Sequence, residues 1–322
     1  MHKRKKVLIT GAGGLCASAL RRLYPEYCDL YEFIYSARKV SDNHDEYICD
    51  LKEKDQVKLL FEKTQPDYVV HTAAFVGGIG GNLKSPSKYF YDNILMNTYV
   101  IDFAYRFGVE KLIAFSSICA FPNDLVLLEE DRMHDGPVWP DNEAYGFAKR
   151  AVDIQIRSLK KEKNVSNYCS IIPGNIAGIN DLYSLVHGHV LPMLIHKLYL
   201  AKRDNEPFEV WGDGKSLREF LFADDVAKCV LELLGRDDIP ERLIISGERE
   251  YSIKEIVDKL VKIADFRGEV KWLTDKPNGQ RSRPSSKELF RHYFPSFKFT
   301  PMDEWLKLSW DWFVENYPNV RM

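Results

Sequence analysis

The sequence lacks any apolar run long enough to span a bilayer, so no membrane segment is predicted. It lacks a CxxC pair. Its six cysteines, Cys16, Cys28, Cys49, Cys119, Cys169 and Cys229, are scattered, which argues against a structural zinc site and a disulfide scaffold. A reducing, cytoplasmic compartment is the expectation. No charge of one sign prevails: 45 Lys and Arg stand against 47 Asp and Glu, a net charge of −2, so no basic field points to nucleic acid. The basic start, Met1-His-Lys-Arg-Lys-Lys6, lacks the apolar core and cleavage site of a signal peptide. Internal repeats and low-complexity segments are missing too. What remains is an ordinary globular composition, 45% hydrophobic over 322 residues, enough for one large domain or two modest ones.

The most informative stretch that is present lies near the front. Lys6-Val-Leu-Ile-Thr10 reads as a buried parallel strand. Gly11-Ala-Gly13-Gly14-Leu15-Cys-Ala17 follows, and then helix-like Ser18–Leu23. Strand, glycine turn and helix form the setting of a dinucleotide-binding fingerprint, although the last small position is Ala17 rather than glycine. Glycines let the backbone approach a pyrophosphate, whose charge the helix N-terminus meets. The plainer alternative is a tight turn without ligand; nucleotide binding is favoured. After the second strand, Tyr31–Ser36, stand Arg38 and Lys39. An acidic residue there suits a ribose 2′-hydroxyl, whereas basic side chains suit a 2′-phosphate, so NADP(H) is the expected cofactor. Exposed loop charges are the alternative. In Tyr47-Ile-Cys-Asp50-Leu51, Asp50 either contacts an adenine or caps the next helix.

Further on, 52–64 reads as a helix and Tyr68–Ala74 as a buried strand whose small Ala73 and Ala74 leave room for a cofactor. Residues 75–82 read as a flexible glycine loop, 86–107 as a helix carrying Asn93 and Asn97, and 111–117 as a strand. This alternation predicts an α/β fold with a doubly wound parallel sheet. Ligands in such sheets sit at the carboxyl ends of the strands, which lines up the Gly11 turn, Ala74 and Ser117. After an irregular stretch to Asn142 comes a helix with Tyr145-Gly-Phe-Ala-Lys149. At i and i+4 the Tyr and Lys share a face, and a nearby ammonium is expected to lower the phenol pKa and make a proton donor or acceptor. Alone, such a pair is usually a solvated helix face; the upstream glycine turn is what lifts it. A strand at 167–172 ends in Pro173-Gly-Asn175-Ile176. His187-Gly-His189 opens a helix to Lys202, Phe208–Trp211 reads as a strand entering a hairpin turn, Leu217–Phe222 as one strand, and 305–313 as a terminal amphipathic helix. The expected division is a nucleotide-binding domain over 1–180 and a smaller C-terminal α/β substrate domain over 181–322, with some segments returning to the first.

With the Gly11–Ala17 turn, Ser117, Tyr145 and Lys149 together, the chain resembles the extended short-chain dehydrogenase/reductase family. Within it, the order of Ala73-Ala74-Phe-Val-Gly-Gly-Ile79, Ser117-Ile-Cys119-Ala-Phe-Pro122, Gly188-His189-Val-Leu-Pro192, Val210-Trp-Gly212 and Arg218-Glu-Phe220 is similar to that of the epimerase–reductases of GDP-4-keto-6-deoxy sugars. Phe299-Thr-Pro301 and Trp312-Phe313 extend the similarity to the tail. The resemblance implies epimerisation at C3 and C5 followed by NADPH-dependent reduction at C4. It implies catalytic roles for Ser117, Cys119, Tyr145, Lys149 and His189. For cofactor binding it implies Gly11, Gly13, Gly14, Leu15, Arg38, Asp50, Leu51, Ala73, Ala74, Tyr145, Lys149, Pro173, Asn175, Ile176 and His189. For the GDP-linked sugar it implies Asn175, Lys197, Trp211, Arg218 and Asn278. Without the resemblance, Cys119 reads as a small buried hydrophobe and His189 as a cap or surface residue. Zinc on His187, His189 and Cys119 has no further ligand pattern behind it. A homodimer through the Tyr145 helix is also implied, with Ala151, Val152, Ile154 and Ile156 facing either the partner or the core.

One departure matters. Residues 176–184, Ile-Ala-Gly-Ile-Asn-Asp-Leu-Tyr-Ser, differ from the family's usual run near the sugar. This supports an alternative, a C4-reductase acting on a GDP-4-keto-heptose. A non-catalytic nucleotide-sugar or NADP(H)-binding protein is another alternative. A 4-epimerase of UDP-sugars is disfavoured by Cys119, His189 and the basic cofactor site.

Overall fold

The computed structural model describes residues 3–39, 46–276 and 281–322. The described strands are β1 Lys5–Thr10, β2 Tyr31–Ala37, β3 Glu46–Ile48, β4 Tyr68–His71, β5 Lys111–Phe115, β6 Tyr168–Pro173, β7 Asn175–Ala177, β8 Phe208–Trp211, β9 Leu217–Arg218, β10 Phe220–Phe222, β11 Arg242–Ile245, β12 Tyr251–Ser252 and β13 Val270–Leu273. The α-helices are α1 Leu15–Tyr27, α2 Lys54–Thr64, α3 Ile79–Lys84, α4 Pro86–Arg106, α5 Glu143–Lys163, α6 Val190–Asp204, α7 Ala223–Leu234, α8 Ile253–Ile263, α9 Glu288–Tyr293 and α10 Met302–Asn316.

Seven strands form one parallel sheet in the order β11-β6-β5-β4-β1-β2-β3. Its central strands are apolar runs buried on both faces, as parallel sheets covered by helices require. The two-residue period of β1 divides the core. Val7 and Ile9 join Leu20, Val230 and Phe290 on the side of α1, α7 and α9. Leu8 joins Phe61, Ile101 and Val152 on the side of α2, α4 and α5. Burying each such side chain contributes about 1.5–3 kcal/mol. The strand order reverses between β1 and β4, the switch point where such sheets open a crevice beyond the carboxyl ends of their strands. A separate core of Tyr183, Leu194, Phe208, Ile256, Trp305 and Phe313 joins α6, α8, α10 and β8.

The structure corrects three local expectations. Part of the 75–82 loop is helical: α3 begins at Ile79, and the Asn82 side chain donates to the carbonyls of Gly77 and Gly78, both at 3.2 Å. No hairpin follows β8, which pairs in parallel with β13 because Gly212 and Gly214, at φ 82° and 73°, turn the chain away. The single strand at 217–222 is broken at Glu219. β9 pairs antiparallel with β12, and β10 pairs in parallel with β7. Glu219 is buried at the break. Its carboxylate accepts from Ser285 at 2.6 Å and Lys287 at 2.7 Å, and its carbonyl accepts from the Asn175 backbone and side chain.

Candidate active site

The glycine turn lies at the carboxyl end of β1. Gly11 has φ 79°, and a Cβ there would stand 2.8 Å from the Cα of Ala73, so only glycine lets β1 and β4 close at this edge. A Cβ on Gly13 would meet nothing within 4 Å, so its backbone faces open space. Gly14 caps α1 without a side-chain bond, and the first turn of α1 carries no acidic residue. The free amides and positive end of this 13-residue helix fit the diphosphate of a dinucleotide. Leu15 is half-buried, and Leu51, Ala73 and Ala74 line the neighbouring strand ends. Arg38 is exposed just past β2. Asp50 does not cap α2, whose N-cap is Glu53. Its carboxylate instead accepts from the Lys52 amide at 3.1 Å.

Beyond β5, Ser117 starts a short 3₁₀ turn at Ile118–Ala120, where its side chain accepts from the Cys119 amide at 3.2 Å. Helix α5 lies directly on this turn. A Cβ at Gly146 would come within 2.5 Å of the Cys119 carbonyl, so glycine beside Tyr145 sets the approach. Arg150 donates to the Ala120 carbonyl at 2.8 Å, and Ser116 donates to the Lys149 carbonyl at 2.9 Å. The far end of α5 has Lys160, Lys161 and Lys163 in its last turn, which complements the helix dipole, and closes with Asn164 at φ 56°. Behind the pair runs a buried polar chain. Thr10 meets His71 at 2.8 Å, His71 meets Asn97 at 3.0 Å, and Asn97 donates to the Ala148 carbonyl at 3.4 Å. Burial pushes the His71 imidazole down to about 3, so it stays neutral.

The expected depression of the Tyr145 pKa is not found. Atoms crowd the hydroxyl although part of the residue reaches the surface, and burial pushes the phenol well above its usual value. The Cys119 sulfur adds to the rise, and a hydrogen-bonding influence from Ser117 opposes it. Lys149 is 2% exposed, and its Nζ donates to the Phe115 carbonyl at 2.7 Å; burial lowers its pKa to about 8. Helical spacing put the two groups on one face but carried no information about desolvation. The resulting chemistry is a phenol held protonated at neutral pH, ready to donate a hydrogen bond or a proton.

The opposite side is assembled from later segments. Pro173 ends β6, and Asn175 and Ile176 form β7. His189 is exposed and caps α6 through its backbone, without a side-chain cap bond. The structure brings Lys197 and Trp211 together, with Nζ 5.0 Å from the ring centroid. Arg218 is half-buried and interacts electrostatically with Glu250, Arg283 and Cys119. Asn278 lies outside the described residues. Sequence reasoning missed Arg283, which donates to the Pro122 carbonyl at 2.8 Å and also senses Cys119. It missed the place of His71 in the buried polar chain as well. The only prior signal for Arg283 was a pair of arginines just after Asn278. Among the described residues, no group of three or more His, Cys, Asp or Glu is arranged to hold a metal ion, and no helix is long and apolar enough to cross a membrane.

A doubly wound parallel sheet, a glycine turn at its switch point and a Tyr-x-x-x-Lys helix over the neighbouring strand end define an extended short-chain dehydrogenase/reductase. The chain belongs to the NAD dependent epimerase/dehydratase family, which it matches over residues 7–246. It is 34% identical to the GDP-L-fucose synthase of Dictyostelium discoideum across 99% of this chain and 98% of that protein. The crystal structure of a GDP-L-fucose synthetase from Naegleria fowleri bound to NADP is similar at TM-score 0.91 and 31% identity, covering 100% of this chain and 98% of that one. A GDP-6-OMe-4-keto-L-xylo-heptose reductase from C. jejuni shares the fold at TM-score 0.86 and 22% identity, over 98% and 99% of the two chains.

Proposed function

We propose that this protein is an NADPH-dependent epimerase–reductase of a GDP-linked 4-keto-6-deoxy sugar, acting as the relatives named GDP-L-fucose synthase do. The observation that carries the proposal is the gathering of Ser117, Cys119 and Tyr145 beyond the carboxyl end of β5, tied together by the close contact of Gly146 with the Cys119 turn, with Arg218 of β9 in electrostatic reach of Cys119. The glycine turn with Leu15, Arg38, Leu51, Ala73, Ala74, Pro173 and Ile176 holds the dinucleotide, which supplies a hydride to C4 when bound. Residues 1–180 form most of that half, and 181–322 most of the sugar half.

A proton beside a ketone is removed more easily when the developing enolate oxygen meets hydrogen-bond donors, and Ser117 and Tyr145 are those donors at the C4 oxygen. Cys119 and His189 exchange protons at C3 and C5 from opposite faces of the ring. In the reduction, Tyr145 gives its proton to the C4 oxygen. Its high pKa means that it starts each cycle in the donating form. Lys149 stabilises the charge left on the phenol and holds the nicotinamide ribose. Arg218, Lys197 and Trp211 grip the GDP, with the guanidinium fork on phosphate oxygens; Asn175 and Asn278 contact the sugar. Asp50 and Leu51 flank the adenine side.

The altered 176–184 run motivates a second reading, a C4-reductase of a GDP-4-keto-heptose without the epimerase step. One experiment separates the two. The protein is incubated with GDP-4-keto-6-deoxy-mannose in deuterated water, and NADPH is then added. Deuterium at C3 and C5 with ketone-dependent NADPH oxidation is expected. Oxidation without exchange would favour the reductase alone, to be tested on the heptose. Cofactor binding with neither reaction would leave a nucleotide-sugar binder.

The assembly is a cytoplasmic homodimer. Phe90 and Tyr91 of α4 and Phe147 and Ile154 of α5 are exposed, with the Phe90 and Phe147 rings 6.0 Å apart, whereas Val152 and Ile156 are spent in the core. Sedimentation of Ile154→Glu tests this, with a shift to monomer expected.

A further inference from the structure

Three parts of the candidate site are tied to one irregular stretch of chain, 281–287. On the β9 side, the Leu217 amide donates to the Arg281 carbonyl at 2.8 Å. Two carboxylates then clasp the stretch. Glu250 precedes Tyr251, which pairs with Arg218 across β12 and β9; it accepts from the Ser282 hydroxyl at 2.7 Å and from the Arg283 amide at 3.1 Å. Glu219 follows Arg218 and accepts from the Ser285 hydroxyl at 2.6 Å and from Lys287 at 2.7 Å. Glu219, Ser246 and Ser285 are buried, and Ser246 closes the knot by bonding to both Ser285 and Lys287. A buried polar network of this kind holds only while every member is matched, because removing one partner strands another.

The same stretch also reaches the Cys119 side. Arg283 donates to the Pro122 carbonyl at 2.8 Å, just past the 3₁₀ turn that carries Cys119. The Leu128 amide donates to the Pro284 carbonyl at 2.9 Å, and the Ser286 amide returns a bond to the Leu128 carbonyl at 2.8 Å. The third part is β7. The Glu219 carbonyl accepts from the Asn175 amide and from the Asn175 side chain, both at 3.2 Å. One residue therefore latches the brace with its carboxylate, seats Asn175 with its carbonyl and adjoins Arg218 in the chain.

We infer that Glu219 is a positioning residue for the sugar-nucleotide: latched by Ser285 and Lys287, it holds Arg218 and Asn175 in register with the Cys119 turn through the 281–287 brace. This role rests on the GDP-sugar reading above, in which Arg218 and Asn175 meet the ligand. Glu219→Gln keeps the size and removes the charge facing Lys287. Affinity for GDP by titration calorimetry should fall about 10-fold, the lower end for a hydrogen bond to a charged group, and KM for the GDP-sugar should rise alike with a smaller change in kcat. NADPH affinity should stay within about twofold. Ser285→Ala leaves both charges in place and should weaken GDP binding a few-fold, so it reports on the same latch should Glu219→Gln fail to fold. Lys287→Met strands the carboxylate and should weaken GDP binding more than either; adding Glu219→Gln to it should restore part of the affinity, since the pair acts as one unit. Unchanged GDP affinity in Glu219→Gln and Ser285→Ala, additive losses in the double variant, or equal losses of GDP and NADPH binding would overturn the positioning role.

A measurement on the resting protein separates this role from the reading beneath it. The NMR signals of Arg218 Nε and Asn175 Nδ2 report the placement of the two groups without ligand. They should shift in Glu219→Gln and Ser285→Ala and stay in place in Asp303→Asn, which removes an exposed carboxylate paired with Lys259. Signals that do not move in the first two variants would overturn the positioning role. An unaltered chain that binds no GDP would instead count against the GDP-sugar reading, and the two signals would still decide the role of Glu219.

Discussion

The two walls of the candidate site differ in how much water they share. On the α5 wall, Lys149 is 2% exposed and bonded to a main-chain carbonyl, and crowding around the Tyr145 hydroxyl holds its proton. On the wall of α6, β8 and β9, Trp211 is 53% exposed, and Lys197 reaches the Glu209 carbonyl at 3.4 Å and the Trp211 ring. The first wall encloses its titratable groups more fully and is fixed by backbone contacts, although burial lowers the Lys197 and Arg218 pKa values on the second as well. The second offers charge and an aromatic surface that a ligand would have to cover. A dry wall tolerates little change, because each atom there is packed; a wet one loses affinity in small steps.

This contrast can be broken by substitution. The largest effect is expected for Tyr145→Phe, which should lower the reduction rate by about 10²- to 10⁴-fold, the usual worth of a positioned general acid, and slow exchange at C3 and C5 less. Reduction at an unchanged rate in stopped-flow NADPH oxidation would remove Tyr145 from the mechanism. Arg218→Gln should raise KM for the GDP-sugar about 10- to 100-fold with a smaller change in kcat, the signature of lost ground-state binding. Gly146→Val drives a branched side chain into the Cys119 carbonyl and should cost about 1–3 kcal/mol by urea unfolding, slowing both reactions.

A pH profile tests the dry wall from another direction. The Lys149 pKa is lowered to about 8, so the cation is present below that value and lost above it. The reduction step should therefore fall as pH rises through about 8, and Lys149→Arg should move the fall to higher pH. Smallest of all, Trp211→Ala should leave stability within about 0.5 kcal/mol, as exposed positions usually do, and raise KM a few-fold. A severe stability loss there would contradict the distinction between the walls.

The same distinction explains what the residues revealed in advance. Long, periodic elements such as β1, α2, α4 and α5 were legible, because an apolar period survives without knowledge of partners. The glycine turn was legible because its position between strand and helix admits few uses. The break at Glu219 was not. Strands of two or three residues leave no period, and the carboxylate that divides them is held by Ser285 and Lys287, far along the chain. Tyr145 and Lys149 were found by spacing, but the direction of the Tyr145 shift was misjudged, since i and i+4 placement says nothing about how many atoms enclose a hydroxyl. His71 escaped for a related reason: a single polar residue in an apolar strand looks the same whether it is solvated, capping or buried against a partner.

A Cβ on Gly188 would lie 2.5 Å from the Ser184 carbonyl and 2.7 Å from that of Leu182, and this seating has a consequence for how such enzymes diversify. Under the proposed function, the 176–184 run is where a bulkier or shorter sugar would be admitted. Yet its backbone is the floor on which the histidine stands, so a graft from another member of the family would move both at once. Exchanges in this run are therefore constrained to those that leave the Leu182 and Ser184 carbonyls in place beneath Gly188. The tail takes part as well, since Arg321 donates to the Asn180 carbonyl and accepts from the Tyr183 amide.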